Sequence, residues 1–297
     1  MSMDKVDFFK GLSLSKDLDY IYSNVKDIFE YNVDGTPKVV DGEILYWAYK
    51  ALEHTTKEME NELMYKRFYH NSHERYEEYV QKDMIKIEKG AFLMGTASDA
   101  KIKYCGEEPQ HKVTLDTYCV SNTLVSEDLY SKYNPFYEKQ DTTNDMPANN
   151  VSWYDAVMFS KWIDCRLLTE AEWEYASKSN STNLWCCEKE EDLKKYGWYS
   201  ENSDGYIHPL KKLLPNSNGL YDLHGNVWEW CQDSYEEEYY SKSPSNNPVN
   251  TKDILDKVCK GGSIHAFSEM CRCSFRDYEP ANFKAIDIGF RLARNKK

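Results

Sequence analysis

Residues 216–230, N-S-N-G-L-Y-D-L-H-G-N-V-W-E-W, pack two turn glycines, two tryptophans, a tyrosine and two carboxylates into fifteen positions. Gly219 and Gly225 allow backbone angles that a β-carbon would forbid. Trp228 and Trp230 are two apart, so on extended backbone they share a face and Glu229 points the other way. Asp222 can curl back towards Glu229 across the Gly225-Asn226 turn. Two carboxylates with freed turn carbonyls would make an all-oxygen nest suited to calcium. The alternative is that Asp222 and Glu229 only cap turn amides.

Outward from that stretch, composition sets the frame. A chain of 297 residues can bury a substantial core, as one large domain with an extension. A net charge of -13 argues against a nucleic-acid or acidic-membrane partner. Aromatic residues, 14% of the chain, suit either an irregular core or a sticky binding face. Residues 1–10 lack an apolar signal core, and no later run reaches membrane-span length. Nine cysteines, two of them adjacent at Cys186 and Cys187, cannot all pair within the chain. Reduced thiols in a cytoplasmic protein are therefore expected.

Residues 1–82 read as an N-terminal helical extension and residues 83–297 as the main domain. Leu14, Leu18, Ile21, Val25, Ile28 and Phe29 have amphipathic-helix spacing. A Gly/Pro turn at 32–42 precedes a second helix over 43–53, and one or two long helices are expected over 55–81. His54 with Glu58, and His70 with His73, share helix faces but have no well-placed third ligand, so a solvated polar face is the reading.

The main domain opens on a strand from Met84, with a second strand after Glu107. His111 reads as a structural histidine. A short helix is expected over 125–137. Ser152 with Asp155, and Thr169 with Glu172, are N-cap signals for two more helices. Glu170, Glu172 and Glu174 read as capping and surface groups, and Cys186-Cys187 as ordinary loop thiols.

The run G-L-Y-D-L-H-G-N-V-W-E-W resembles the signature of the formylglycine-generating-enzyme, or sulfatase-modifying-factor, family. K-G-G-S at 260–263 and G-F-R-L-A-R at 289–294 resemble further family marks, and Leu168 stands where the family usually has proline. The likeness covers residues 84–294. It implies an irregular α+β fold of the C-type-lectin-like kind, often with structural calcium. Carried over, Asp222 and Glu229 would give side-chain oxygens, and Gly225 and Val227 backbone carbonyls. Relatives that make sulfur-containing histidine derivatives carry an iron-binding helical domain at the N-terminal position; its histidine pattern is not found here.

Catalytic members oxidise a substrate cysteine to formylglycine with oxygen and copper(I), held by two cysteines five positions apart after G-G-S. Soft thiolates select Cu(I). Here the second position is Cys271, while the first falls on Ala266, which has no ligand atom. Cys273 and Cys259 are the remaining thiols nearby in sequence. Ser263 keeps the place of a family active-site serine.

The variable proteins of diversity-generating retroelements also end on these marks and use the fold as a binding scaffold. On that likeness, a face over residues 258–287 would grip a protein or peptide through Ile264, His265, Phe267, Glu269, Met270, Arg272, Ser274, Arg276, Tyr278, Asn282, Lys284 and Asp287. The readings left open are a non-catalytic binding protein, a copper-dependent oxidase using Cys271 and, third, another oxygen-dependent iron enzyme, whose histidine/carboxylate triad is not found in the sequence.

Overall fold

Local signals set the helices. The structure, a computed structural model, describes residues 5–29, 32, 37–52, 82–143 and 145–295. Among the described residues, three N-terminal helices, α1 (Lys5–Leu12), α2 (Leu18–Val25) and α3 (Gly42–Leu52), precede the main body. The expected helices over 55–81, with His54, Glu58, His70 and His73, lie outside the described residues. Asp17 starts α2 by accepting the Tyr20 amide at 3.0 Å. Asp41 does the same for Ile44 in α3, also at 3.0 Å.

In the main body α4 (Glu127–Tyr133) begins at Ser126, α5 (Trp153–Trp162) at Ser152 and α6 (Glu170–Lys178) at Thr169. Both expected capping boxes form reciprocally, Ser152 with Asp155 and Thr169 with Glu172. Each satisfies amides that a helix start leaves without partners.

Among the described residues the strands are short and make three small sheets. β1 (Met84–Ile87), β4 (Tyr118–Ser121), β10 (Leu292–Asn295) and β5 (Arg166–Leu167) pair in that spatial order, so the final strand is inserted between early ones. β2 (Gly90–Met94) pairs β3 (His111–Leu115). β8 (Asp277–Pro280), β7 (Asp256–Lys260), β6 (Trp228–Ser234) and β9 (Ile288–Gly289) form the third sheet. Pairing there is antiparallel except between β6 and β9.

One apolar cluster joins the N-terminal helices to the main body. Phe9 of α1, Ile21 and Val25 of α2, and Leu45, Ala48 and Leu52 of α3 share it with Trp153, Ala156 and Phe159 of α5. Gly42 packs tightly on the start of α5. Its amide donates to Asp155 Oδ1 at 3.1 Å, and a β-carbon there would lie 2.6 Å from the Asp155 nitrogen.

Candidate functional site

The 216–230 stretch is the hub of the loop region. Gly225 has φ +87°, and its amide donates to the Gly261 carbonyl at 2.7 Å. Asn226 donates its amide to Trp198, and its side chain bonds the backbone of His208 on both sides. Its own carbonyl accepts the Ile264 amide at 3.1 Å. His224 is buried, with Nδ1 2.8 Å from the Cys271 carbonyl and Nε2 accepting the Cys186 amide at 3.1 Å. Burial pushes its pKa down to about 4, so this imidazole is neutral at physiological pH.

The two carboxylates of the stretch sit in different circumstances. Asp222 is buried and accepts the Lys211 amide at 3.0 Å. Burial pushes its pKa up to about 6, against the pull of the Lys211 amide and Arg291, and Glu229 pushes the same way as burial. Glu229 is clasped by Arg291 through two bonds of 2.7 Å, and its Oε2 also accepts the Trp173 indole N–H at 2.9 Å. The calcium expectation at Asp222, Gly225, Val227 and Glu229 therefore does not fit. A buried guanidinium holds the carboxylate that a cation would need, and no lone carboxylate makes a calcium site.

The copper position can be read at Gly262. A β-carbon built there would lie 2.5 Å from Cys271 Sγ and 3.2 Å from the Ala266 methyl. The side chains of residues 266 and 271 thus meet beside Gly262, as the resemblance implied. The group that meets the thiol is a methyl. Cys271 and Ala266 sit in an apolar cluster with Trp185, Leu193 and Tyr199. Burial, with the charge of Glu269 adding to it, pushes the Cys271 thiol well above the thiol range. The two cysteines considered as substitutes are also fully buried: Cys259 lies on β7, and Cys273 accepts from the Ser177 hydroxyl at 3.0 Å. Among the described residues no group of three His, Cys, Asp or Glu is placed to hold a metal. Ser263 is buried and donates to Asp287 Oδ2 at 2.8 Å.

The expected binding face divides in two. His265, Phe267, Tyr278, Asn282 and Lys284 are exposed, and Glu269, Met270 and Asp287 are half-buried. Phe267 is 67% exposed, and Phe283 and Ile286 add apolar surface beside the predicted residues. Ile264, Arg272, Ser274 and Arg276 are buried and do not belong to that face. Arg272 clasps Glu107 at 2.6 and 2.9 Å, with Ser274 bonded into the same group through Thr96. Arg276 clasps Glu170 at 2.6 and 3.0 Å. Lys284 is exposed but engaged, 2.6 Å from Asp155.

Other residues carry more than their sequence suggested. Glu172 caps its helix as read, yet Glu170 and Glu174 are buried acceptors and not surface groups. Glu174 takes Lys178 at 2.7 Å and the Gly95 amide at 2.8 Å. Spacing of four puts Glu170 and Glu174 on one helix face, which was the available signal. His111 is structural as expected, set between the Pro109 carbonyl and the Ser243 hydroxyl.

Short irregular strands, long loops locked by buried ion pairs and a terminal strand inserted between early ones define a lectin-like α+β scaffold. The model for the sulfatase-modifying factor enzyme 1-like domain matches residues 70–296, and the chain belongs to that family. The formylglycine-generating enzyme of Streptomyces coelicolor is 30% identical over 175 residues, half of this chain and 52% of the enzyme. A serine/threonine-protein kinase, pkn1, of Chlamydia caviae is 27% identical over 244 residues, 72% of this chain and 38% of its own length. The chain therefore spans between about two fifths and half of these relatives. Among solved structures, Treponema denticola variable protein 1 superposes with a TM-score of 0.63 at 27% identity, covering 72% of this chain and 95% of that one. PvdO from Pseudomonas aeruginosa gives 0.64 at 25% identity, covering 72% and 94%. No helix among the described residues is long and apolar enough to cross a membrane.

Proposed function

We propose that this chain is a non-catalytic member of its family that binds a protein or peptide through the exposed part of the 258–287 face. The observation that carries this reading is the methyl of Ala266 meeting Cys271 beside Gly262. Linear two-thiolate binding of Cu(I) needs a second sulfur there, and a lone buried thiol pushed towards its protonated form is a poor copper ligand. The likeness to the Treponema denticola variable protein supports the binding role, as do the exposed Phe267, Tyr278, Phe283 and Ile286. Half-buried Asp277, Glu279 and Asp287 accompany these side chains, so the partner that fits is a basic peptide segment with apolar side chains.

The rival reading is a copper- and oxygen-dependent oxidase of a peptidyl cysteine. Cu(I) titration under reducing conditions, with oxygen uptake on a cysteine peptide, separates the two. The wild-type chain is expected to take up no stoichiometric copper, whereas Ala266→Cys gains a thiol-dependent site. Tight copper and turnover in the wild type would sink the binding reading. On the binding side, a display library of basic peptides should yield ligands whose affinity falls at least about tenfold in Phe267→Ser with Tyr278→Ser, while Cys271→Ser leaves it intact. Loss on Cys271→Ser alone would count against the proposal.

A further inference from the structure

A second concavity lies between the N-terminal helices and the main body, lined by Lys257, just before the 258–287 segment, and by Trp153, whose amide donates to Ala281 of that segment. Its main lobe has a volume of about 420 Å³, and an adjoining lobe of about 340 Å³ shares Tyr46, Trp47, Trp153 and Lys257 with it. That size suits a small organic ligand, and a junction between two packed units is a common place for one.

The walls are aromatic. Tyr46 lies edge-on to Trp47 and to Trp153, with ring centroids 5.2 and 5.4 Å apart. The floor is a buried cation. Lys257 is 8% exposed, and its Nζ lies 4.5 Å from the Trp153 ring centroid. One of its N–H groups goes to Ser234 Oγ at 2.7 Å, and that hydroxyl donates onward to the Lys252 carbonyl. An ammonium has three donors, so two remain. Among the described residues no carboxylate lies within ion-pair distance of Lys257. Burial depresses its pKa to about 8, partly offset by Asp253 and Asp233.

These features are complementary to one kind of molecule. A buried ammonium with two open donors calls for an anion, and desolvated charge is costly until it is paired. The aromatic walls call for a flat ring. The surroundings favour the anion too: Lys50, Lys161 and Lys252 line the cleft against the single carboxylate of Asp253, in a chain whose net charge is -13. Lys252 is paired with Glu236 and Arg166 with Glu172, and Lys257 is the buried cation among the basic residues of the cleft, so it would receive the charge.

We propose that this cleft binds a small aromatic carboxylic acid, its carboxylate on Lys257 and its ring against Tyr46, Trp47 and Trp153. The cleft adjoins the 258–287 segment but calls for a different ligand, and failure of one reading leaves the other standing.

Calorimetric titration of the full chain with indoleacetate and hydroxyphenylacetate, beside the neutral indoleacetamide and hydroxyphenylacetamide, tests it. At least one acid should bind saturably one to one, and its amide at least about tenfold more weakly. Lys257→Met keeps the stem over Trp153 and removes the charge, and should reduce the acid to the level of the amide. Leu14 is exposed at the rim, so Leu14→Glu disturbs no packing; it should weaken the acid at low salt and less so at high salt. That variant decides the matter should Lys257→Met fail to fold. Absence of binding by both acids, equal affinity of acid and amide, or acid affinity unchanged in a folded Lys257→Met or in Leu14→Glu overturns the proposal.

Discussion

At position 272 a guanidinium sits fully buried against Glu107, and it shows how the same residue type can mean opposite things. From sequence, Arg272 and Arg276 read as basic groups for a partner. In the fold each neutralises a carboxylate brought from a distant segment, Glu107 for one and Glu170 for the other. Arg291 does the same for Glu229. Removing one member of such a pair leaves a buried charge uncompensated. Arg272→Leu is therefore expected to cost about 3–5 kcal/mol of stability, read in urea denaturation. A folded variant of unchanged stability that had lost peptide binding would return Arg272 to the binding face. No local pattern could have revealed these pairs, because the partners of Arg272 and Arg276 lie more than a hundred residues away. The Ala266 position was legible, since it needed only a count from Gly261-Gly262-Ser263 to Cys271, and the fold then brought the two side chains together beside Gly262.

At the scale of elements, the helix starts were written in the sequence. Ser152 with Asp155 and Thr169 with Glu172 act within one turn, so their geometry follows wherever the helix forms. Asp155 goes further, because its carboxylate also accepts the Gly42 amide and pairs with Lys284. One side chain thereby ties the start of α3, the start of α5 and the binding face together. Gly42→Ala would drive a methyl into the Asp155 backbone, where the gap to its nitrogen is 2.6 Å. A destabilisation of about 1–3 kcal/mol is expected, measured by chemical denaturation. A neutral effect would mean that α3 can shift without loss, and that the contact is not a close-packed one.

For the whole molecule, the shared apolar cluster of α1, α2, α3 and α5 implies that the N-terminal helices open together with the main body. Native-state hydrogen exchange should give the amides of α3 and α5 opening free energies within about 1 kcal/mol of each other. Much easier opening of α3 would show a detachable extension, with the cleft at its base no longer a fixed site. The chain read by itself established the lectin-like family fold, the capped helices and the missing thiol at 266, because motif order, caps and residue counts are local or one-dimensional properties. The tertiary structure decided which charges face inward, that Glu229 belongs to Arg291, and that Lys257 sits over Trp153 at the bottom of a cleft. Each of these depends on segments distant in the chain meeting at contact distance, where desolvation and pairing, invisible in a linear pattern, determine whether a charged side chain is a fastening or a site.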